Sequence, residues 1–188
     1  MNPHSQFPPP PQSTAQTTQT GGESIVGVIV LRKPKSLGRY DSYAGVLTAQ
    51  RLIFAQLTSE MLSAAAMQAK EQAKAEGKGF FGQWAQQIKG ASNYADRFIT
   101  MHPQAILAET PGNFELGNNA ISQIKFHLKG DRDDNYRQYF EVEIKSSAGT
   151  YKYHMDENSA YTDVLKRVFG DRVKMPFGYF SKTVNIKF

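Results

Sequence analysis

The chain has 188 residues, a length for one domain with appendages, and its 40% hydrophobic and 12% aromatic content suffices for one packed core. Its 22 basic against 17 acidic side chains give a net charge of +5 and a pI near 9.3, which favours anionic partners such as lipid head groups, nucleic acid or acidic proteins. It has no cysteine, which excludes disulfides, thiolate metal sites and cysteine nucleophiles, and no run near the ~18 apolar residues of a membrane span.

Residues 1–22 hold Phe7-Pro8-Pro9-Pro10-Pro11 and then Gln, Ser, Thr and Gly. No hydrophobic period exists there to offset the entropy of ordering, so the expectation is a disordered tail with polyproline II character. The Phe-Pro-Pro-Pro-Pro run resembles an EVH1-type ligand, but a plain flexible tail is the favoured reading. No basic region followed by an apolar one marks a secretory leader, so the expected location is cytoplasmic or peripheral at a membrane.

Ser24 to Leu31 is apolar and β-branched and predicts a strand. Arg32-Lys33-Pro34-Lys35-Ser36-Leu37-Gly38-Arg39 reads as a basic loop punctuated by Pro34 and Gly38. Tyr40 to Thr48 and Arg51 to about Leu57 are the next two strands. From Ser59 to Glu76 the chain is rich in Ala, Gln, Lys and Glu, strong helix formers, with Thr58 or Ser59 as cap. Gly77-Lys78-Gly79 breaks that helix. Phe80-Phe81-Gly82-Gln83-Trp84 opens a second helical stretch reaching about Met101, followed by a short helix from Pro103 to Glu109. Alternation then predicts strands at Phe114–Leu116, Ile121–Leu128, Tyr136–Lys145 and Thr150–Met155, before an amphipathic helix from Ser159 to Phe169 capped by Gly170. The segment Val173 to Phe188 is β-prone in part and is read as a further strand or a surface strap.

About seven short strands, a helical excursion after the third and a closing helix imply an α+β domain on a curved sheet or a partly open antiparallel barrel. The segment Val46-Leu47-Thr48-Ala49-Gln50-Arg51-Leu52-Ile53-Phe54 is similar to a strand-turn-strand of bacterial PH-like (GRAM-like) domains, matching at Leu47, Thr48, Arg51, Leu52, Ile53 and Phe54 and departing at Ala49, where those families often have Asn. The Phe114 to Phe126 segment resembles a later strand pair of the same group, without its Pro. The resemblance implies a PH-like barrel over residues 23–175, with 59–109 as a helical insertion, 1–22 as a tail and 176–188 as an extension. Because that fold hosts lipid, peptide and scaffold functions, it does not select one.

The resemblance also implies a site. In PH domains that bind phosphoinositides, basic residues of the first hairpin loop contact the head group; here these are Arg32, Lys33, Lys35 and Arg39. Arg offers phosphate a bidentate fork and Lys a point charge. Four cations near a turn also describe an ordinary solvated face. A second candidate is the insertion, where Lys70, Lys74, Lys78 and Lys89 flank Phe80, Phe81 and Trp84. Cations beside bulky aromatics suit a membrane interface, and equally a helix packed on a barrel or against a second copy.

Catalytic signals are weak. His4, His102, His127 and His154 are scattered, and no pair lies at helical zinc spacing, although His127 and His154 can share a sheet face. Asp131, Asp133 and Asn135 start like a calcium loop but lack its Gly and Glu. Tyr136, Tyr139, Tyr151 and Tyr153 near Arg137, Lys145 and Lys152 fit base stacking less well than a barrel core. The reading is therefore a non-enzymatic binding module without metal or cofactor, acting on anionic lipid or a protein partner. An oligomeric scaffold built on the insertion is the alternative.

Overall fold

The computed structural model describes residues 22–75, 94–130 and 138–179. In these the chain forms β1 (Ile25–Pro34), β2 (Tyr40–Thr48), β3 (Arg51–Leu57), α1 (Ser59–Ala75), a 3₁₀ turn (Asp96–Thr100), α2 (Pro103–Glu109), β4 (Phe114–Gly117), β5 (Ile121–Gly130), β6 (Gln138–Ser146), β7 (Gly149–Asp156), α3 (Ser159–Phe169) and β8 (Val173–Lys174). The strands make one sheet in the order β4-β3-β2-β1-β7-β6-β5-β8. Its ladders are antiparallel except for the short β5–β8 pair, where Ile124 aligns with Val173. The molecule is thus α+β, as the strand pattern predicts.

The sheet is open but strongly curled. β4 and β5 stand first and seventh in the order, yet only Asn118, Asn119 and Ala120 join them. Three residues reach about 14 Å at most, so the two ends of the sheet meet at that corner. Side chains pin it: Asn118 Nδ2 donates to the Thr48 carbonyl at 3.0 Å, and Arg172 Nη1 donates to the carbonyls of Asn118 and, at 2.8 Å, Ile121. Across the interior, the Phe54 ring of β3 stacks on Phe114 at 4.5 Å and 7° and lies 5.4 Å from Tyr153 of β7. β3 and β7 are separated in the sheet by β2 and β1, so this contact exists only because the sheet wraps round. α3 covers one face of that interior with Leu165 and Phe169.

A second core lies on the opposite face of β2 and β3. Ala44, Val46, Ile53 and Ala55 point outward there and are buried under Ala95, Phe98 and Ile106 from the returning part of the insertion. This explains why β2 and β3 read as continuous apolar runs: both faces are covered, whereas antiparallel strands with one wet face alternate. Leu47, Leu52 and Phe54 face the interior, Val46 and Ile53 the insertion, and all five are fully buried.

Local chemistry sets the element ends. Thr58 Oγ1 accepts from Met61 N–H and caps α1. Pro103 opens α2, whose first turn is capped by His102 Nδ1. Asn158 Oδ1 caps α3 from Ala160 N–H, and Gly170, with φ at 53°, ends it. Ala49 stands where the resembling families have Asn, and the tight turn there is held instead by Thr48, whose Oγ1 accepts from both Gln50 and Arg51 N–H.

Three expectations change. β1 runs to Pro34, so Arg32 and Lys33 stand on the strand, opposite Ser42 and Asp41, and the basic loop shrinks to Lys35–Arg39. The ladder extends this far because the β2 residues facing them are also extended. The segment expected to stay helical to about Met101 is instead a 3₁₀ turn over Asp96–Thr100, with Phe98 buried on the sheet. The described strands number eight, the addition being β8, since Val173 fills the core beside Ile124. The Phe7–Pro11 run, Asp131 to Tyr136 and the Thr183–Phe188 run lie outside the described residues.

Candidate functional site

Of the four sequence-predicted cations, Lys35 and Arg39 flank the turn at the tip of the β1–β2 hairpin, and Arg32 and Lys33 stand just behind it on β1, where consecutive residues face opposite sides of the sheet. Arg32 pairs with Asp156 of β7, which β1 meets at Arg32–His154. Lys35 Nζ lies 2.6 Å from Asp41 Oδ1 across the hairpin. Lys33 and Arg39 are exposed and make no ion pair within 4 Å among the described residues, the Asp41 opposite Lys33 being paired with Lys35. Four cations against two carboxylates leave an excess of two positive charges. Both ion pairs are solvent-facing, the side chains of Arg32 and Asp156 being 37% and 65% exposed and those of Lys35 and Asp41 53% and 25%. Pairs of that kind contribute about 0–1 kcal/mol, so a phosphate can take the place of either carboxylate at little cost.

The tip itself is a fixed turn. Lys35 N–H donates to the Arg39 carbonyl at 2.8 Å, enclosing a 3₁₀ turn at Ser36–Gly38. Leu37 and Gly38 both take left-handed backbone, φ 60° and 68°. Leu37 is 91% exposed, and the sequence pattern gave no hint of it because an isolated Leu in a polar loop has no period.

Behind the tip, the outward face of β1 and β5–β7 carries a row set by strand register: His127 opposite Glu141, Glu141 opposite His154, His154 opposite Arg32. The two histidines do share a sheet face, one on each side of Glu141. The His154 ring lies 5.5 Å from Tyr40 and 4.7 Å from Tyr139. Burial among these rings, and the positive charge of Arg32, hold its imidazole below the usual range against the opposing pull of Glu141. Tyr151 and Tyr153 point the other way, into the core, so of the four tyrosines considered for base stacking only Tyr139 faces outward among the described residues.

Two other concavities differ in sign. A cleft of about 610 Å³ between the start of α3 and the segment after β8 is lined by Leu128, Thr162, Pro176, Phe177 and Tyr179, with Glu157 and Asp163 at its walls. Its carboxylates repel an anionic head group. A second, of about 510 Å³, is lined by Glu23, Arg51, His102, Gln104 and Glu115. There Arg51 is already clamped, with Nη2 2.5 Å from Glu23 and Nη1 2.5 Å from Glu115.

The insertion candidates Phe80, Phe81 and Trp84, with Lys78 and Lys89, lie outside the described residues. In the described part of the insertion, Phe98 and Ile106 are fully buried on the sheet, whereas Met67 and Ile99 are exposed. Arg97 lies over the rings of Tyr94 and Phe98 and pairs with Glu109. Among the described residues no group of three His, Asp or Glu is placed to hold a metal ion, and no helix is long and apolar enough to cross a membrane.

Comparison of the chain with protein-family models, with curated proteins and with solved structures gave no match.

Proposed function

We propose that this chain is a non-catalytic binding module of PH-like architecture that docks on anionic lipid head groups through the tip of its β1–β2 hairpin. Seven antiparallel strands in the order β4-β3-β2-β1-β7-β6-β5, with a helix over the open core, fit the architecture that the Leu47–Phe54 resemblance implies. The observation that carries the ligand class is the charge at and just behind the tip: Lys33 and Arg39 without an ion pair among the described residues, beside Arg32 and Lys35 in pairs that open at small cost. The large acidic cleft beside α3 does not offer a competing anion site.

In the described part of the insertion, Phe98 and Ile106 are engaged on the chain's own sheet. The test is sedimentation of the full chain with vesicles of phosphatidylcholine alone or with a quarter phosphatidylserine. Binding to the anionic vesicles only, weakened by salt and lost in the Arg32, Lys33, Lys35 and Arg39 to Ala quadruple variant, is the expected result. Equal binding by that variant, or none by the wild type, sinks the proposal.

A further inference from the structure

We propose that two copies of this chain associate by exchanging hairpin tips: the Lys35–Arg39 turn of one copy enters the acidic cleft beside α3 of the other. The inference stands apart from the lipid reading and gives the same turn a protein partner, a second copy of the chain itself.

The two surfaces are complementary. The tip is an apolar point between cations: Leu37 is exposed, its turn contains no buried residue, and Lys35 and Arg39 stand on either side. The cleft is the reverse, an apolar lining between acids. Leu128, Pro176, Phe177 and Tyr179 line it, Glu157 and Asp163 stand at its walls, and its described lining residues include no cation. The helix does not account for those acids, because α3 carries none in its first turn, where the dipole favours them. Nor does the described chain cover the cleft, since Phe177 at its wall is fully exposed. At about 610 Å³ it is several times the volume of a leucine side chain, so the point of the turn has room to enter.

The charges are free to exchange partners. Lys35 is held by an exposed pair with Asp41, and Arg39 makes no ion pair among the described residues, so both can turn to Glu157 and Asp163 at small cost. The fold also makes the exchange mutual. Arg32, three residues before the turn, pairs with Asp156, and Glu157 of the cleft comes next in the chain, so tip and cleft open at the same end of the sheet. Two copies facing end to end about a two-fold axis each present a tip to the other's cleft, and the contact closes as a dimer. An unrelated protein with an acidic groove is the competing occupant; that the chain carries the matching groove itself favours a second copy. Two five-residue tips bury less than the roughly 1,600 Å² of a standard interface, so the association should be micromolar or weaker.

The experiment is sedimentation equilibrium of the full chain without lipid. The mass should rise with concentration from one copy to two, and added salt should lower it. Reversing the tip, Lys35→Glu with Arg39→Glu, or the cleft, Glu157→Lys with Asp163→Lys, should each leave a monomer. Mixed in equal amounts, the two reversed chains should pair again, because each tip then meets a cleft of opposite sign. Leu37→Asn keeps the left-handed turn and should weaken the dimer about a hundredfold, a factor of ten at each of its two contacts, with the salt dependence retained. A wild type that stays monomeric up to its solubility limit overturns the proposal. So does a dimer that survives either reversal, which puts the contact elsewhere on the chain. Failure of the mixed chains to pair overturns it when both melt like the wild type; when one does not, a Leu37→Asn dimer as tight as the wild type does so instead. Because no lipid is present, loss of vesicle binding by the wild type refutes the head-group reading alone.

Discussion

Gly27 of β1 and Val164 of α3 touch so closely that a Cβ on Gly27 would lie 2.3 Å from Val164 Cγ2. The helix is seated on the sheet at the one place in β1 where the side chain is missing. Gly27 therefore reads as a packing glycine, required by close approach. Gly27→Ala is expected to push α3 outward and lower stability by about 1–3 kcal/mol, as overpacking does. Adding Val164→Ala removes the clash, so the double variant should recover part of that loss. Urea midpoints of the two single variants and the double variant decide it; strict additivity would refute the contact as the cause.

Arg51 ties three segments together. Its guanidinium meets Glu23, before β1, and Glu115 on β4, and the Arg51 and Glu23 side chains are 15% and 10% exposed. Thr48 Oγ1 donates to the same Glu23 carboxylate. Removing the cation strands two carboxylates, so Arg51→Met is expected to cost about 3 kcal/mol in chemical denaturation. Burial pushes the Glu23 carboxyl up, but the hydrogen bonds from Arg51 and Thr48 outweigh it and hold it below its ordinary 4.5. A depressed carboxyl contributes stability that is complete above the ordinary value and is lost as pH falls through the lowered one. Glu23→Gln should therefore be less stable than wild type at pH 7, with the gap closing in acid; a constant gap would contradict the pairing.

The two cores should respond differently to truncation. Phe54→Ala opens the interior under Phe114 and Tyr153 and is expected to cost about 3–5 kcal/mol in global unfolding. Phe98→Ala opens only the layer between the insertion and the outer face of β2–β3. Its expected signature is local: faster amide exchange and proteolysis at 94–109, with slow exchange retained in β5–β7. Uniform loss of protection in both variants would mean that the two layers unfold as one.

His154 gives a second pH dependence, closer to neutrality than that of Glu23. Its depressed folded-state pKa, set by burial and then by Arg32 against Glu141, means that the unfolded chain binds its proton more readily. The neutral ring's contribution is complete above the ordinary value of 6.5 and declines as pH falls below it toward the folded value. His154→Gln should flatten the melting temperature between pH 7 and pH 5. An unchanged slope would assign it to other groups.

Much of the fold was legible because it is written in local periods. The short helix Pro103–Glu109 and the closing helix Ser159–Phe169 match their expected limits, since Pro103, Asn158 and Gly170 are end signals that act within one turn. The apolar identity of Leu47, Leu52, Ile53 and Phe54 placed them in a core, and they are there. Which core each residue serves was not legible, because period two only separates two faces and does not say what covers the second. The same holds for the candidate site. Charge marked Arg32, Lys33, Lys35 and Arg39, but the carboxylates that answer two of them come from Asp41 across the hairpin and from Asp156, 124 positions away.

The sequence by itself determined most of the described strand and helix segments, the absence of cysteine and the run of cations from Arg32 to Arg39. These are properties of composition and of neighbours a few residues apart. Only the tertiary structure decided that the sheet curls until Phe54 reaches Tyr153, that the returning insertion closes over Val46 and Ile53, and that Lys33 and Arg39 stay without an ion pair among the described residues while the hairpin tip presents Leu37 to solvent. Burial and charge pairing depend on which distant segments the curled sheet brings together, and no local pattern encodes that distance.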